Sequence, residues 1–219
     1  MKSHVIVVAG GSGTRMNATV PKQFILLKGR PLLFLTLETF YTTNPDFFLN
    51  LVLPEEHLNT WKELLMKFQF EVPHRLIVGG ATRFHSVKCG LQEVSDGLVA
   101  VHDGVRPLVS SETINRCFSL AKEKGSGVPA VQSPDSIRLL NESGSSAIDR
   151  NLVRLVQTPQ CFRAGLLKQA YNQPYRETFT DCASVWESSG QSVFLTEGNS
   201  ENIKITHPQD LIFAEAMIR

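Results

Sequence analysis

Three glycines in four residues, followed by an arginine, make Gly10-Gly11-Ser12-Gly13-Thr14-Arg15 the stretch best suited to hold an anion. Glycine permits backbone angles and close approaches that a Cβ would block. Consecutive exposed N–H groups in such a loop can form a nest for an anion. Arg15, and Lys22 behind Pro21, add the cations that would grip a polyphosphate. A plain tight turn is the alternative. Gly11-Ser12-Gly13 begins a G-x-G-x-x-G, but Met16 stands where a third glycine or alanine belongs, which disfavours a dinucleotide site. The Walker A string is absent.

His102-Asp103-Gly104-Val105-Arg106-Pro107 is a second centre. An aspartate at a strand's carboxyl end is well placed to hold Mg²⁺ together with phosphate oxygens. Arg106 could face the same phosphates, and an ordinary turn with a surface ion pair is the alternative. His102 ends a buried strand and reads as structural. Gly79-Gly80-Ala81-Thr82-Arg83-Phe84-His85-Ser86 could bring backbone or Ser86 to a flat base edge, with Arg83 buttressing the loop. Gln157-Thr158-Pro159-Gln160, Thr180-Asp181-Cys182-Ala183-Ser184 and Asn202-Ile203-Lys204-Ile205-Thr206 add polar groups and a lysine. The second of these reads equally as a capped helix start.

Alternating strands and helices would position these groups. Strands are expected at 5–8, 48–53, 75–78, 98–102 and 128–131, and helices at 32–40, 55–68, 82–94 and 111–124. Pro31 is tolerated at the first helix turn, acids open the second helix, and Thr82 and Ser110 or Ser111 are candidate caps. Gly125-Ser126-Gly127 reads as a breaker. The alternation predicts an α/β fold, a Rossmann-like, doubly wound, mostly parallel sheet with site residues at the strands' carboxyl ends. Residues 133–158 break the rhythm with two short strands, 136–140 and 147–150, around a polar turn. An isolated hairpin is marginally stable, so this arm should pack on something, and a second subunit is a reasonable candidate. Helices at 164–172 and 181–188, a strand at 191–195, a short strand near Lys204 and a last helix from His207-Pro208 complete one domain spanning 1–219.

Composition excludes several classes. Of 219 residues, 42% are hydrophobic and 20% charged, and 22 Lys+Arg against 21 Asp+Glu leave a net charge of +1. That balance argues against a general nucleic-acid binder. The four scattered cysteines read as reduced thiols, and no histidine spacing suggests a metal cluster. No signal peptide, membrane span or fused second enzyme is expected, which predicts a cytoplasmic protein.

Taken in order, these strings resemble one family. They are Gly-Gly-Ser-Gly-Thr-Arg-Met, Pro-Lys-Gln, Gly-Gly-x-x-Arg-x-x-Ser-Val, His-Asp-x-x-Arg-Pro, Asp-Ser, Asp-Arg-Asn, Thr-Pro-Gln, Thr-Asp-x-Ala-Ser and Asn-Ile-Lys-Ile-Thr. From Ala9 to Thr206 the chain resembles the 2-C-methyl-D-erythritol 4-phosphate cytidylyltransferases of the non-mevalonate isoprenoid pathway. The resemblance implies a nucleotidyltransferase fold and transfer of CMP from CTP, with Mg²⁺, to that polyol phosphate. Arg15, Lys22 and Lys204 would be catalytic, stabilising phosphate charge. Ala9, Gly10, Gly11 and Gly13 would meet nucleotide, Gly80, Ala81 and Ser86 would select cytosine, and Asp103 would hold the metal. Arg106, Ser136, Arg150, Thr158 and Thr180 would bind the acceptor. The resemblance also implies a homodimer, its arm at about 133–157 carrying Ser136 and Arg150 to the neighbour's site. Cys182 departs from the family's usual acid, Ser136 from its threonine, and Gly104-Val105 from its Ala-Ala pair. A ribitol 5-phosphate cytidylyltransferase shares most of these motifs, and a non-catalytic nucleotide sensor is a reading from a different class.

Overall fold

Side-chain alternation along the strands sorts this molecule into layers. The computed structural model describes residues 1–11 and 20–218. Strands β1 Ser3–Val8, β2 Leu26–Leu27, β3 Arg30–Pro31, β4 Phe48–Leu53, β5 Arg75–Val78 and β6 Leu98–Asp103 are followed by β7 Ser126–Gln132, β8 Ile137–Asn141, β9 Gly144–Ile148, β10 Arg154–Val156, β11 Gln160–Arg163 and β12 Leu195–Glu197. The helices are α1 Leu32–Thr43, α2 Leu58–Phe68, α3 Arg83–Gln92, α4 Ser111–Lys124, α5 Ala164–Ala170, α6 Cys182–Ser188 and α7 Pro208–Met217.

The main sheet has eight strands in the order β10-β7-β11-β6-β1-β4-β5, with β12 also on β7. Strands β1, β4, β5, β6, β7 and β12 run one way, while β10 and β11 oppose them. The sheet is therefore mostly parallel, as expected. Val5, Val7, Leu49, Leu51, Leu53 and Ala100 pack against α1, α2 and α4 on one face. Ile6, Val8, Val52, Val99 and Val101 pack against α3, α5 and α6 on the other. Each such valine, leucine or isoleucine, fully buried, stabilises the fold by roughly 1.5–3 kcal/mol relative to exposure. A third cluster of Leu27, Leu32, Val105, Ile205 and Ala214 seats α7 over the small β2–β3 ribbon.

Several expected boundaries move, each for a physical reason. Gly125 ends α4 at φ +97, but Ser126 and Gly127 already belong to β7. A Cβ on Gly127 would lie 2.2 Å from the Cys117 carbonyl oxygen, so this glycine permits a strand to pass close beneath α4. Residues 160–163, polar at their start, form a strand inserted between β6 and β7 and antiparallel to both. The strand expected at 191–195 begins only at Leu195, and residues 202–206 run without strand pairing, tied by Ile205 N–H donating to Val105 O at 3.0 Å. In the arm, pairing continues through the polar residues to Asn141↔Gly144, leaving only Glu142 and Ser143 as the turn.

Strands β10 and β11 both pair with β7, and their register differs. From Val156↔Ala130 to Cys161↔Gly127, one side advances five residues and the other three. The two extra residues form a bulge centred on Thr158 and Pro159, whose peptide bond is cis. Bulges re-aim side chains locally.

Candidate active site

The site is built where β1, β5 and β6 end. Ala9 and Gly10 follow β1, Gly79 and Gly80 follow β5, and Asp103 is the last residue of β6. Ala9, Gly10, Gly80 and Asp103 line a cleft of about 210 Å³ with Gly11, Lys22, Gln23, Ala81, Arg83, Ser86 and Lys204 among its other walls. Close approach demands glycine most strongly at position 80. A Cβ on Gly80 would sit 2.5 Å from the His85 Cβ, and one on Gly11 would sit 3.2 Å from the Lys22 Nζ. The Ser86 hydroxyl accepts from Gly80 N–H and donates to Gly80 O, both at 3.2 Å, which fixes the loop's backbone. Thr82 caps α3 by accepting from His85 N–H, as expected. Arg15 and Gly13 lie outside the described residues.

Asp103 is the electrostatic centre. Its carboxylate meets Lys204 Nζ at 3.0 Å, Arg83 Nε at 3.4 Å and Arg106 Nε at 3.6 Å. Burial alone would raise its pKa, but Arg83, Lys204 and Arg106 together outweigh burial and hold the carboxyl well below the usual carboxylate range. It is therefore ionised at neutral pH and is no general base. Three cations around one carboxylate leave positive charge for an anionic ligand.

A chain of neutral hydrogen bonds holds Asp103 in place. Its N–H donates to Thr158 Oγ at 3.1 Å, and Thr158 Oγ lies 3.1 Å from His102 Nδ1. His102 Nε2 lies 3.0 Å from the Arg106 carbonyl oxygen, which can only accept. The protonated nitrogen is thus Nε2, and Nδ1 accepts from the Thr158 hydroxyl. Burial lowers the His102 pKa to about 4, against the opposing pull of Arg106 O and Asp103. The imidazole is neutral, and its role is structural.

A second cavity of about 270 Å³ opens on the other side of Asp103, lined by Arg83, Arg106, Thr158, Gln160, Thr180 and Lys204 among others. Thr158 is buried here and Arg106 partly so, and Arg106 Nη1 donates to Asn202 O at 2.6 Å. Asn202 in turn donates to Thr158 O at 2.8 Å, which fixes the segment carrying Lys204. Gln160 joins the bulge to α6, donating to Asp181 at 2.7 Å and accepting from Cys182 and Ala183 N–H at 3.0 Å. Asp181 completes a capping box with Ser184. Cys182 is buried, its sulfur 3.5 Å from Arg83 Nη1 and 3.2 Å from the Tyr171 hydroxyl.

Sequence reasoning gave no role to Gln160 or Asn202. The available signal was polar residues in short motifs flanking apolar strands. Ser136 and Arg150 line neither cavity. Both are exposed, at the base of the β8–β9 arm, where Arg150 donates to Pro134 O at 2.8 Å. No helix among the described residues is long and apolar enough to cross a membrane.

With this geometry in hand, known proteins can be compared. The model of the 2-C-methyl-D-erythritol 4-phosphate cytidylyltransferase family matches residues 3–219. The enzyme of that name from Phocaeicola vulgatus is 48% identical over 219 residues, covering 100% of both chains. Its Porphyromonas gingivalis counterpart is 51% identical, covering 99% of this chain and 98% of the other. The crystal structure of 4-diphosphocytidyl-2C-methyl-D-erythritol synthase from Anaerococcus prevotii superposes with a TM-score of 0.83 at 28% identity, covering 98% and 95%.

Proposed function

The chain belongs to the 2-C-methyl-D-erythritol 4-phosphate cytidylyltransferase family, and from that premise we propose that it transfers CMP from CTP to 2-C-methyl-D-erythritol 4-phosphate. The products are 4-diphosphocytidyl-2-C-methyl-D-erythritol and pyrophosphate. The observation that carries the reading is Asp103, one carboxylate on the wall shared by two cavities and surrounded by Arg83, Arg106 and Lys204. The first cavity suits the nucleotide, with Gly80, Ala81 and Ser86 at the cytosine and Ala9, Gly10 and Gly11 along the remainder. The second suits the acceptor, with Arg106, Thr158 and Thr180.

The acceptor phosphate oxygen attacks the α-phosphorus of CTP in line, forming a new P–O bond as the bond to pyrophosphate breaks. A phosphate monoester has its second pKa near about 6, so the nucleophile is ionised without a protein base. That agrees with an Asp103 carboxyl held ionised by its cations. The work left to the protein is positioning and charge neutralisation, by Arg15, Lys22 and Lys204.

Among the described residues no group of three or more His, Cys, Asp or Glu could cage a metal. One ionised carboxylate facing a triphosphate cleft nevertheless fits Mg²⁺, which binds through one or two carboxylates plus substrate phosphates. Held there by Asp103, it would neutralise charge building on the leaving pyrophosphate.

A homodimer is part of the reading. Leu139, Leu140 and Leu152 are exposed on or beside the arm, and Ser136 and Arg150 would complete the neighbour's acceptor site. A cytoplasmic location suits soluble substrates of this kind. The test is pyrophosphate release from CTP, Mg²⁺ and methylerythritol phosphate, with ribitol 5-phosphate in parallel. Release with methylerythritol phosphate is expected; release with ribitol 5-phosphate alone would overturn the acceptor assignment.

A further inference from the structure

Gln23 lies in the one-turn helix Lys22–Phe24, directly after the lysine that lines the nucleotide cleft. It lines the same cleft and is 1% exposed. Neither its Oε1 nor its Nε2 has a hydrogen-bond partner among the described residues. A carboxamide brings two donors and one two-lone-pair acceptor, and burying it with both ends unmet is destabilising. Methionine would fill similar space without that cost. The amide is therefore suited to a ligand that enters the cleft.

That ligand must satisfy both ends. Phosphate oxygens only accept, so a triphosphate would leave Oε1 unmet. The base edge has Gly80 and Ser86. Sugar hydroxyls both donate and accept. We propose that Gln23 binds the vicinal ribose hydroxyls of CTP through its carboxamide, which is satisfied only in the bound state. This rests on the reading of the cleft as a nucleotide site.

The experiment compares the parent with Gln23→Met by thermal melting without ligand and by calorimetric titration with CTP and 2′,3′-dideoxy-CTP. The variant should melt at or above the parent's temperature, because it loses an unmet amide. It should bind CTP about tenfold more weakly, the scale of one or two lost hydrogen bonds. The parent should prefer CTP over the dideoxy analogue by about tenfold, and the variant should lose that preference. Unchanged CTP affinity would overturn the proposal. So would a preserved preference for CTP, or a lower melting temperature, which would mean the amide is already satisfied in the free protein. A parent that binds no CTP would instead overturn the nucleotide reading itself.

Discussion

The two walls that meet at Asp103 are made by different means. The wall proposed for the nucleotide is largely backbone: short turns after parallel strands, with a glycine at position 80 where a Cβ would collide with His85. Its internal bonds are local, as between Ser86 and Gly80. The wall proposed for the acceptor is made of side chains from residues far apart in sequence. Asp103, Thr158, His102 and Asn202 are joined through Gln157 to Gln160 and Asp181 in one hydrogen-bonded network behind the second cavity. A backbone wall is insensitive to pH and to most substitutions outside its glycines. A side-chain network in a buried site stands or falls on each polar group.

The largest effect expected is at the shared residue. Asp103→Asn leaves Arg83 and Arg106 without their balancing charge, and removing one partner of a buried ion pair costs roughly 3–5 kcal/mol. Urea unfolding should show that loss together with loss of pyrophosphate release; unchanged stability would mean the three cations are balanced elsewhere. Lys22→Ala acts on the nucleotide wall, where lost transition-state charge stabilisation should lower kcat by about 10²–10³-fold. Steady-state turnover near the parent's would remove Lys22 from the chemistry.

Acidification should separate the walls next. The folded His102 pKa lies at about 4, below its unfolded value of about 6.5, so between these values the unfolded chain binds the extra proton. Stability is then full above about pH 6.5 and falls by up to about 3 kcal/mol on the way to pH 4. His4 and His74, also lowered mainly by burial, act in the same direction. Denaturant titrations across that range should show the slope, and His102→Gln should flatten it. The smallest effect is expected in the arm. Arg150→Ala should leave the melting temperature unchanged and raise the acceptor KM about tenfold, as for one lost charged contact, while KM for CTP stays put. A change confined to CTP would assign Arg150 to the wrong wall.

The same contrast explains what was legible in the sequence. Short continuous apolar runs located β1, β4, β5 and β6, and glycine or aspartate immediately after a strand marked the wall proposed for the nucleotide. Ser110 and Thr82 were readable as caps because capping is a local exchange between one side chain and one nearby N–H. Strand β11 was not legible, because Gln160 spends its polar side chain on α6 while its backbone completes the sheet. Gly127 read as a breaker because it closely follows the end of α4, while its small size in fact lets β7 pass beneath that same helix at Cys117. The buried roles of Thr158 and Asn202 likewise depend on partners that no short window contains.

The bulge at Thr158-Pro159 also sets a rule of parity. Because it adds two residues, β10 and β11 keep the same alternation of faces along β7. Beyond it, Cys161 packs into the layer of α1, α2 and α4, and Phe162 packs beside Trp186 in the opposite layer. Deleting a single residue from the bulge would exchange them, forcing an aromatic ring into a space shaped for a thiol and leaving a void under Trp186. Deleting both would preserve the layers but withdraw the hydroxyl from Asp103. Length variation here is thus constrained twice, in even steps by packing and to a single value by catalysis.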